Sequence, residues 1–308
     1  MTTPTPRPDV QALLDAMKAN PMPVFTADNI GQMRTLASRG GGDLGELAVV
    51  QDLVIPGPGG DLPLRLFDPR SHREPGPAVV FFHGGGHTIG SIDTHAVLCA
   101  EIARGLDLPV ISVDYRLAPE NPWPAAPDDA EAAARWVAEN GQAFGRSVTA
   151  LVICGDSAGG NIALVTGLAL RNRPAAVPVA LQIALYPGVD MFGVYPSTEM
   201  FGEGYMLDAT LIRWFRAQYN PDGEHWRASP LRADVSGSPP TLLATAELDP
   251  QRDQGRAYAA KLIQAGVRTT FLEARGTIHG FATYASVIPS CAADVRQVLA
   301  AARTMLDA

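Results

Sequence analysis

Residues 152–164 read VICGDSAGGNIAL, and a serine stands there among small residues, where an apolar run stops and a helix-like run begins. Gly155-Asp156-Ser157-Ala158-Gly159 fits G-x-S-x-G, a sharp strand-to-helix turn that lifts a serine hydroxyl out of the chain. Glycines two before and two after the serine keep Cβ atoms out of the crossing. The helix that follows leaves the N–H of Ala158 available as a donor. Taken alone, the pattern also fits a plain strand–helix turn in a chain rich in Gly and Ala. Upstream, VVFFHGGGHTIGS ends an apolar run with His83-Gly84-Gly85-Gly86. Three glycines leave backbone N–H groups unshielded, and with the N–H of the serine turn they can hold a developing oxyanion. A merely flexible loop does not account for the order HGGG or for its place ahead of the serine. His83 itself precedes the glycines on a strand end, a place suited to pinning the loop through hydrogen bonds.

A serine hydroxyl needs a base, and the base needs an orienting carboxylate. The chain has six histidines. His72 lies in a polar turn, His95 near a helix start and His225 beside Trp226. His279, in ARGTIHGFATY, follows the last strand-like run, TTFLEA. The order nucleophile, acid, base that goes with G-x-S-x-G requires a late histidine, which selects His279. For the acid, TLLATAELDPQRDQG offers Glu247, Asp249 and Asp253 at another strand end. Asp249 comes just past the strand with Pro250 fixing the chain after it. Glu247 and Asp253 are the alternatives, Asp253 lying one turn into the next helix.

These groups can meet only if several strands end at one edge. ELAVVQDLVIP and LPLRLFD alternate like a half-buried antiparallel pair around the turn GPGGD. AVVFF, PVISVDY, TALVICG, ALQIALYP, TLLATA and TTFLEA are short apolar runs, mostly separated by helical segments such as 125–140, 158–171 and 251–265. Apolar runs alternating with helices predict a mainly parallel α/β sheet covered on both faces, with ligands bound beyond the carboxyl ends of its strands. Two helical segments, VQALLDAMKA and NIGQMRTLASR, precede the first strand, and a glycine loop, RGGGDLG, follows them. Residues 190–230 break the alternation with a helix-like DATLIRWFRAQY among scattered Gly, Pro and aromatics. The expected division is therefore cap helices over 1–45, a catalytic unit over 46–189 and 231–308, and a cap insertion over 190–230.

Composition bounds what the chain does. It is 46% hydrophobic and 18% charged over 308 residues, enough to bury a large core. The net charge of −8 argues against a nucleic-acid partner. Cys99, Cys154 and Cys291 form no CxxC pair and read as reduced thiols. No signal-peptide-like block and no run of membrane-spanning length is present, so a cytoplasmic location away from membranes is expected. No metal-ligand spacing occurs, and no cofactor is expected. The expected partner is a small-molecule ester, and whether the chain forms a homodimer stays open.

HGGG at 83–86, DYRLAPENPWPAAPDD at 114–129, GDSAGGNIA at 155–163, AELDPQRDQG at 246–255 and IHGF at 278–281 occur in this order along the chain. In this the sequence resembles the hormone-sensitive lipase-like family of α/β-hydrolases, in its bacterial carboxylesterase branch. The resemblance implies an α/β-hydrolase fold with a helical cap, Ser157 as nucleophile, His279 as base and Asp249 as its orienter. It implies an oxyanion hole at Gly84, Gly85 and Ala158, and a supporting role for Tyr115, Arg116 and Glu120 of YRLAPE. It implies a serine esterase acting on short acyl chains, acetyl to about hexanoyl. Two departures stand out: His87 occupies a position after HGGG that is commonly aromatic in the family, and DPQRDQG replaces DPLRDEG. His87 and Asp156 are candidate pocket residues, with Met206, Trp214 and Phe215 of the insertion. Val10, Leu13, Leu14 and Met17 form one face of the first helix, expected to lie against Met206, Leu211, Trp214 and Phe215. Amides share the tetrahedral intermediate and stay open as substrates, as does a non-catalytic receptor of the same fold, although all three catalytic groups are in place.

Overall fold

The computed structural model describes residues 4–21, 23–26, 28–38 and 42–308, with the side chains of 37 and 38 left out. Residues 39–41 of the glycine loop, and with them part of the expected cap over 1–45, lie outside the described residues. β1 (Val49–Gly57) and β2 (Gly60–Asp68) form the antiparallel pair, with Gly57 opposite Gly60 at the turn. β2 also runs antiparallel to β4 (Val110–Val113). From β4 onwards the sheet is parallel, through β3 (Gly76–Phe82), β5 (Val148–Asp156), β6 (Val179–Leu185), β7 (Thr241–Leu248) and β8 (Thr269–Ile278). Among the described residues the order is β1-β2-β4-β3-β5-β6-β7-β8. The chain passes from β3 outward to β4, then back across β3 to β5. The strand order thus reverses between β3 and β5, where open α/β sheets bind ligands.

Both faces of the sheet are apolar. On β3, Val79 and Phe81 point to one core, while Ala78, Val80 and Phe82 point to the other. The first core lies under α3 (Ala96–Leu106) and α9 (Pro289–Leu306). The second lies under α4 (Ala125–Asn140) and α5 (Ala158–Asn172), and continues beneath α8 (Arg252–Gln264). Strands buried on two sides need apolar residues at every position, which is why these runs do not alternate.

α5 is buried along almost its whole length, and its small residues let it lie against the central strands. A Cβ on Gly159 would stand 1.9 Å from the carbonyl oxygen of Phe82, and one on Gly155 would stand 2.2 Å from that of Gly159. No side chain fits at either place, so both glycines of the serine turn are required by backbone contact.

Between β6 and β7 the chain rises over the sheet as α6 (Pro196–Met200) and α7 (Ala209–Tyr219). The Asp208 carboxylate caps α7 by accepting from the N–H of Leu211 at 2.6 Å. The N-terminal helices divide differently from expectation. α1 (Pro8–Ala19) packs mainly against α9 and β8 rather than against α7 of the insertion. Asp9 accepts from the Ser290 hydroxyl at 2.7 Å, and Arg7 pairs with Asp294. Val10 is fully buried in the core beneath α9, where Leu13 and Leu14 also pack. Amphipathic spacing shows that a helix has an apolar face but not which surface it covers. Phe25 and α2 (Ile30–Ser38) approach the insertion and the glycine loop instead. Among the described residues no helix is long and apolar enough to cross a membrane.

Candidate active site

Ser157 directly follows β5 with φ 53° and ψ −117°, a conformation costly for any residue with a side chain. It is held by its own N–H donating to Leu185 of β6 at 2.8 Å. The Ser157 Oγ lies 2.8 Å from His279 Nε2. His279 Nδ1 lies 2.7 Å from Asp249 Oδ2. A carboxylate only accepts, so the imidazole carries its proton on Nδ1 and offers Nε2 to the serine hydroxyl. His279 leaves the end of β8, and Gly280 after it turns the chain with φ 79°. Asp249 leaves the end of β7 and is fully buried, its second oxygen accepting the Gln251 N–H at 2.7 Å. Neither alternative acid approaches the imidazole. Glu247 accepts from Gly276 N–H at 2.7 Å, and Asp253 accepts from Ser197 N–H and Arg252.

The glycine loop lies beside this group because β3 and β5 are neighbours, with Phe82 opposite Gly155. Its donors differ from expectation at one position. The Gly84 N–H is engaged by Asp156 Oδ1 at 2.8 Å, so it is unavailable to an oxyanion. The cavity is lined instead by Gly85 and Gly86, beside Ser157 and Ala158. The N–H groups of Gly85, Gly86 and Ala158 have no acceptor among the described residues. The physical reason is the burial of Asp156, which is 2% exposed and must find donors within the protein. Burial pushes its carboxyl up, but His95 and the Gly84 N–H outweigh this and hold it below the ordinary carboxylate value. His95 Nε2 stands 3.2 Å from the same oxygen.

His83 holds the loop from beneath. Its Nδ1–H donates to the Gly84 carbonyl at 2.7 Å, and its ring stacks on Tyr115 at 4.3 Å. Burial, aided by His95, pushes its pKa down to about 3, so it is neutral at ordinary pH. The Tyr115 hydroxyl donates to the His83 carbonyl at 2.6 Å, and Arg116 pairs with buried Asp129.

Arg34 of α2 clamps the loop from above, and nothing local in the sequence marks it. Its Nε donates to the Thr88 carbonyl at 2.9 Å and its Nη2 to the Ala118 carbonyl at 2.8 Å. The same guanidinium meets the Glu120 carboxylate at 2.9 and 2.8 Å. Ala118 in turn donates to the His87 carbonyl at 2.9 Å. One side chain thus ties α2, the glycine loop and the YRLAPE segment together.

Ser157 opens into a cavity of about 520 Å³. His87 lines it, buried and stacked on Tyr219 at 3.8 Å, with its pKa pushed down to about 3 by burial. Asp156, Met206 and Phe215 also line it, and Phe215 lies where a Cβ on Gly86 would come within 2.3 Å of its ring. Trp214, expected among the lining residues, is not one of them. Its ring packs on Phe25 and Phe215, and Phe25 takes the place at the wall. Adjacent helix positions point about 100° apart, and α7 docks with Leu211, Ile212, Phe215 and Arg216 towards the cavity and Trp214 turned out of it.

A family model described as alpha/beta hydrolase fold matches residues 79–283. The carboxylic ester hydrolase LipN of Mycobacterium tuberculosis is 40% identical over 84% of this chain and 71% of its own length. An ethyl acetate hydrolase of Pseudomonas putida is 37% identical over 91% of this chain and 90% of its own. Among solved structures, a hyperthermophilic esterase from the archaeon Pyrobaculum calidifontis superposes with a TM-score of 0.90 at 35% identity, covering 99% of this chain and 100% of that one.

Proposed function

The chain belongs to the α/β-hydrolase fold family, in its hormone-sensitive lipase-like esterase branch, and on that premise we propose that it hydrolyses short-chain acyl esters through Ser157, His279 and Asp249. It is a carboxylic ester hydrolase. The proposal rests on one observation above the others, the unbroken hydrogen-bond relay from Ser157 through His279 to Asp249 at the head of the sheet.

His279 Nε2 takes the proton as Ser157 Oγ attacks the ester carbonyl, and Asp249 steadies the imidazolium that forms. The oxyanion sits against the N–H groups of Gly85, Gly86 and Ala158, which need no reorganisation to receive it. Protonated His279 then gives its proton to the leaving alcohol. Water, deprotonated by His279, releases the acyl group from Ser157. The cavity walls of Phe25, Phe215 and Tyr219 support short acyl groups over long chains.

The test is release of nitrophenol from 4-nitrophenyl acetate with a pre-steady-state burst, and its loss after a serine-reactive organophosphate. A labelled Ser157 in the digested protein is expected. Hydrolysis that survives the reagent, or a label on another residue, would overturn the assignment.

A further inference from the structure

One wall of the cavity is polar in a way that hydrolysis of a plain alkyl ester does not use. Arg216 lines it, half-buried, and Asp190 and Gln251 line the same cavity. Its guanidinium has no hydrogen bond and no ion pair with any described residue, and it lies over the Phe192 ring, 4.8 Å from the ring centroid. Asp190 does not neutralise it. That carboxylate accepts from the Tyr195 hydroxyl at 2.9 Å and from Gly193 N–H at 3.1 Å, and its nearest cation is Arg232 at 4.0 Å. Burial lowers the Arg216 pKa, with Asp190 opposing and Arg213 adding to the effect. A half-buried guanidinium that has only a ring face and no hydrogen-bonded anion keeps its donors available for a charged ligand.

Two acceptors lining the same cavity are also unpartnered, Gln251 Oε1 and Asn161 Oδ1, both buried. The Asn161 amide nitrogen is already engaged, donating to Gly188 at 2.7 Å and to Ala228 at 2.9 Å. The Gln251 amide has no bond to the protein among the described residues and can turn either end to a ligand. An alkyl chain lying here would displace water from Arg216 and Gln251 and leave both unpaired, which disfavours it. A carboxylate would meet the guanidinium in paired, charge-assisted hydrogen bonds.

We propose that the preferred ester carries a carboxylate on its non-reacting part, and that Arg216, assisted by the Gln251 amide, binds it. The substrate class is then a half-ester of a dicarboxylic acid or the acyl ester of a hydroxy acid. This rests on the esterase reading above and deepens it.

Two matched pairs test it. In one, 4-nitrophenyl monoglutarate is compared with 4-nitrophenyl hexanoate, placing the charge on the acyl side. In the other, 4-acetoxybutanoate is compared with pentyl acetate in a pH-stat, placing it on the alcohol side. In at least one pair the charged ester is expected to lead by about tenfold in kcat/KM, mainly through KM, and to lose that lead as salt rises. Arg216→Gln lowers kcat/KM for the charged ester about tenfold more than for its neutral counterpart, and Arg216→Lys restores part of the difference. No lead in either pair for the unaltered enzyme, or a lead that persists in Arg216→Gln, overturns the proposal. Failure to cleave any of the four esters, with no organophosphate adduct at Ser157, would instead sink the esterase reading.

Discussion

At the floor of the cavity Ser157, His279 and Asp249 are joined by hydrogen bonds of 2.8 and 2.7 Å, whereas at its roof Phe25 meets Trp214 and Phe215 with ring centroids 5.2 and 5.6 Å apart. The floor residues stand on the ends of parallel strands, where the ladder leaves the backbone no room to shift. The roof residues come from a short N-terminal segment and from α7, held by side-chain packing and only half-buried. Proton transfer needs donor and acceptor held within tenths of an ångström, whereas an apolar wall needs only to exclude water and limit size. On the proposed reading the chemistry is built on the sheet and the selectivity on the cap.

The largest effects should come from the floor. Ser157→Ala, His279→Ala and Asp249→Asn are each expected to lower kcat by on the order of 10³ or more, with Ser157→Ala melting close to the parent. Asp253→Asn, which loses contacts to Ser197 and Arg252, should cost less than about tenfold in kcat. Steady-state kinetics on 4-nitrophenyl acetate decide this, and a lethal Asp253→Asn beside a mild Asp249→Asn would reverse the acid assignment.

Arg34 joins the two regions and should fall between them. Arg34→Ala frees the Thr88 and Ala118 carbonyls and lets the loop drift, so kcat is expected to fall by roughly tenfold to a hundredfold with little change in KM. Arg34→Lys should recover only part of this, since an ammonium cannot reach both carbonyls and fork onto Glu120. A change confined to KM would place Arg34 with the roof instead.

His83 and His87 give a stability signature. Both are held neutral in the folded protein, with pKa pushed down to about 3 from 6.5, so the unfolded chain binds more protons between those values. Stability is full above 6.5 and is lost as pH falls below it, by up to about 1.4 kcal/mol per pH unit for each imidazole. Denaturant titrations at pH 7, 6 and 5 should show the fall, and His87→Phe should reduce its slope. A slope unaltered in His87→Phe would mean that His87 is protonated in the fold.

The smallest effects belong to the roof. Phe25→Ala is expected to widen the accepted acyl length and change relative rates by a few-fold, read from a series of 4-nitrophenyl esters. An identical acyl profile would remove Phe25 from the wall.

Much of the floor was legible because each proposed catalytic group lies in a contiguous motif at the end of an apolar run. HGGG, GDSAG, ELDP and IHG each join a strand to its chemistry within a few residues, and G-x-S-x-G imposes the order of its partners. The period of the apolar runs likewise identified a parallel sheet covered on both sides. The choice among Glu247, Asp249 and Asp253 was narrowed by position along the strand end, a property the local sequence carries.

The rest depended on which surfaces meet. The amphipathic pattern of α1 gave it an apolar face, but the C-terminal helix and β8 decided what that face covers. Trp214 and Phe215 are adjacent and alike, and only the docking angle of α7 determined which of them faces the cavity. Gly84 and Gly86 both belong to HGGG, yet buried Asp156, distant in sequence, takes the N–H of Gly84. Arg34 is an ordinary charge in a short helix until the fold places two carbonyls and Glu120 around it. The sequence by itself determined the strands, the serine turn and the groups able to act, since those follow from local propensity and motif. The tertiary structure alone decided which donors remain available and which side chains wall the cavity, because hydrogen-bond saturation and packing depend on neighbours far apart in the chain.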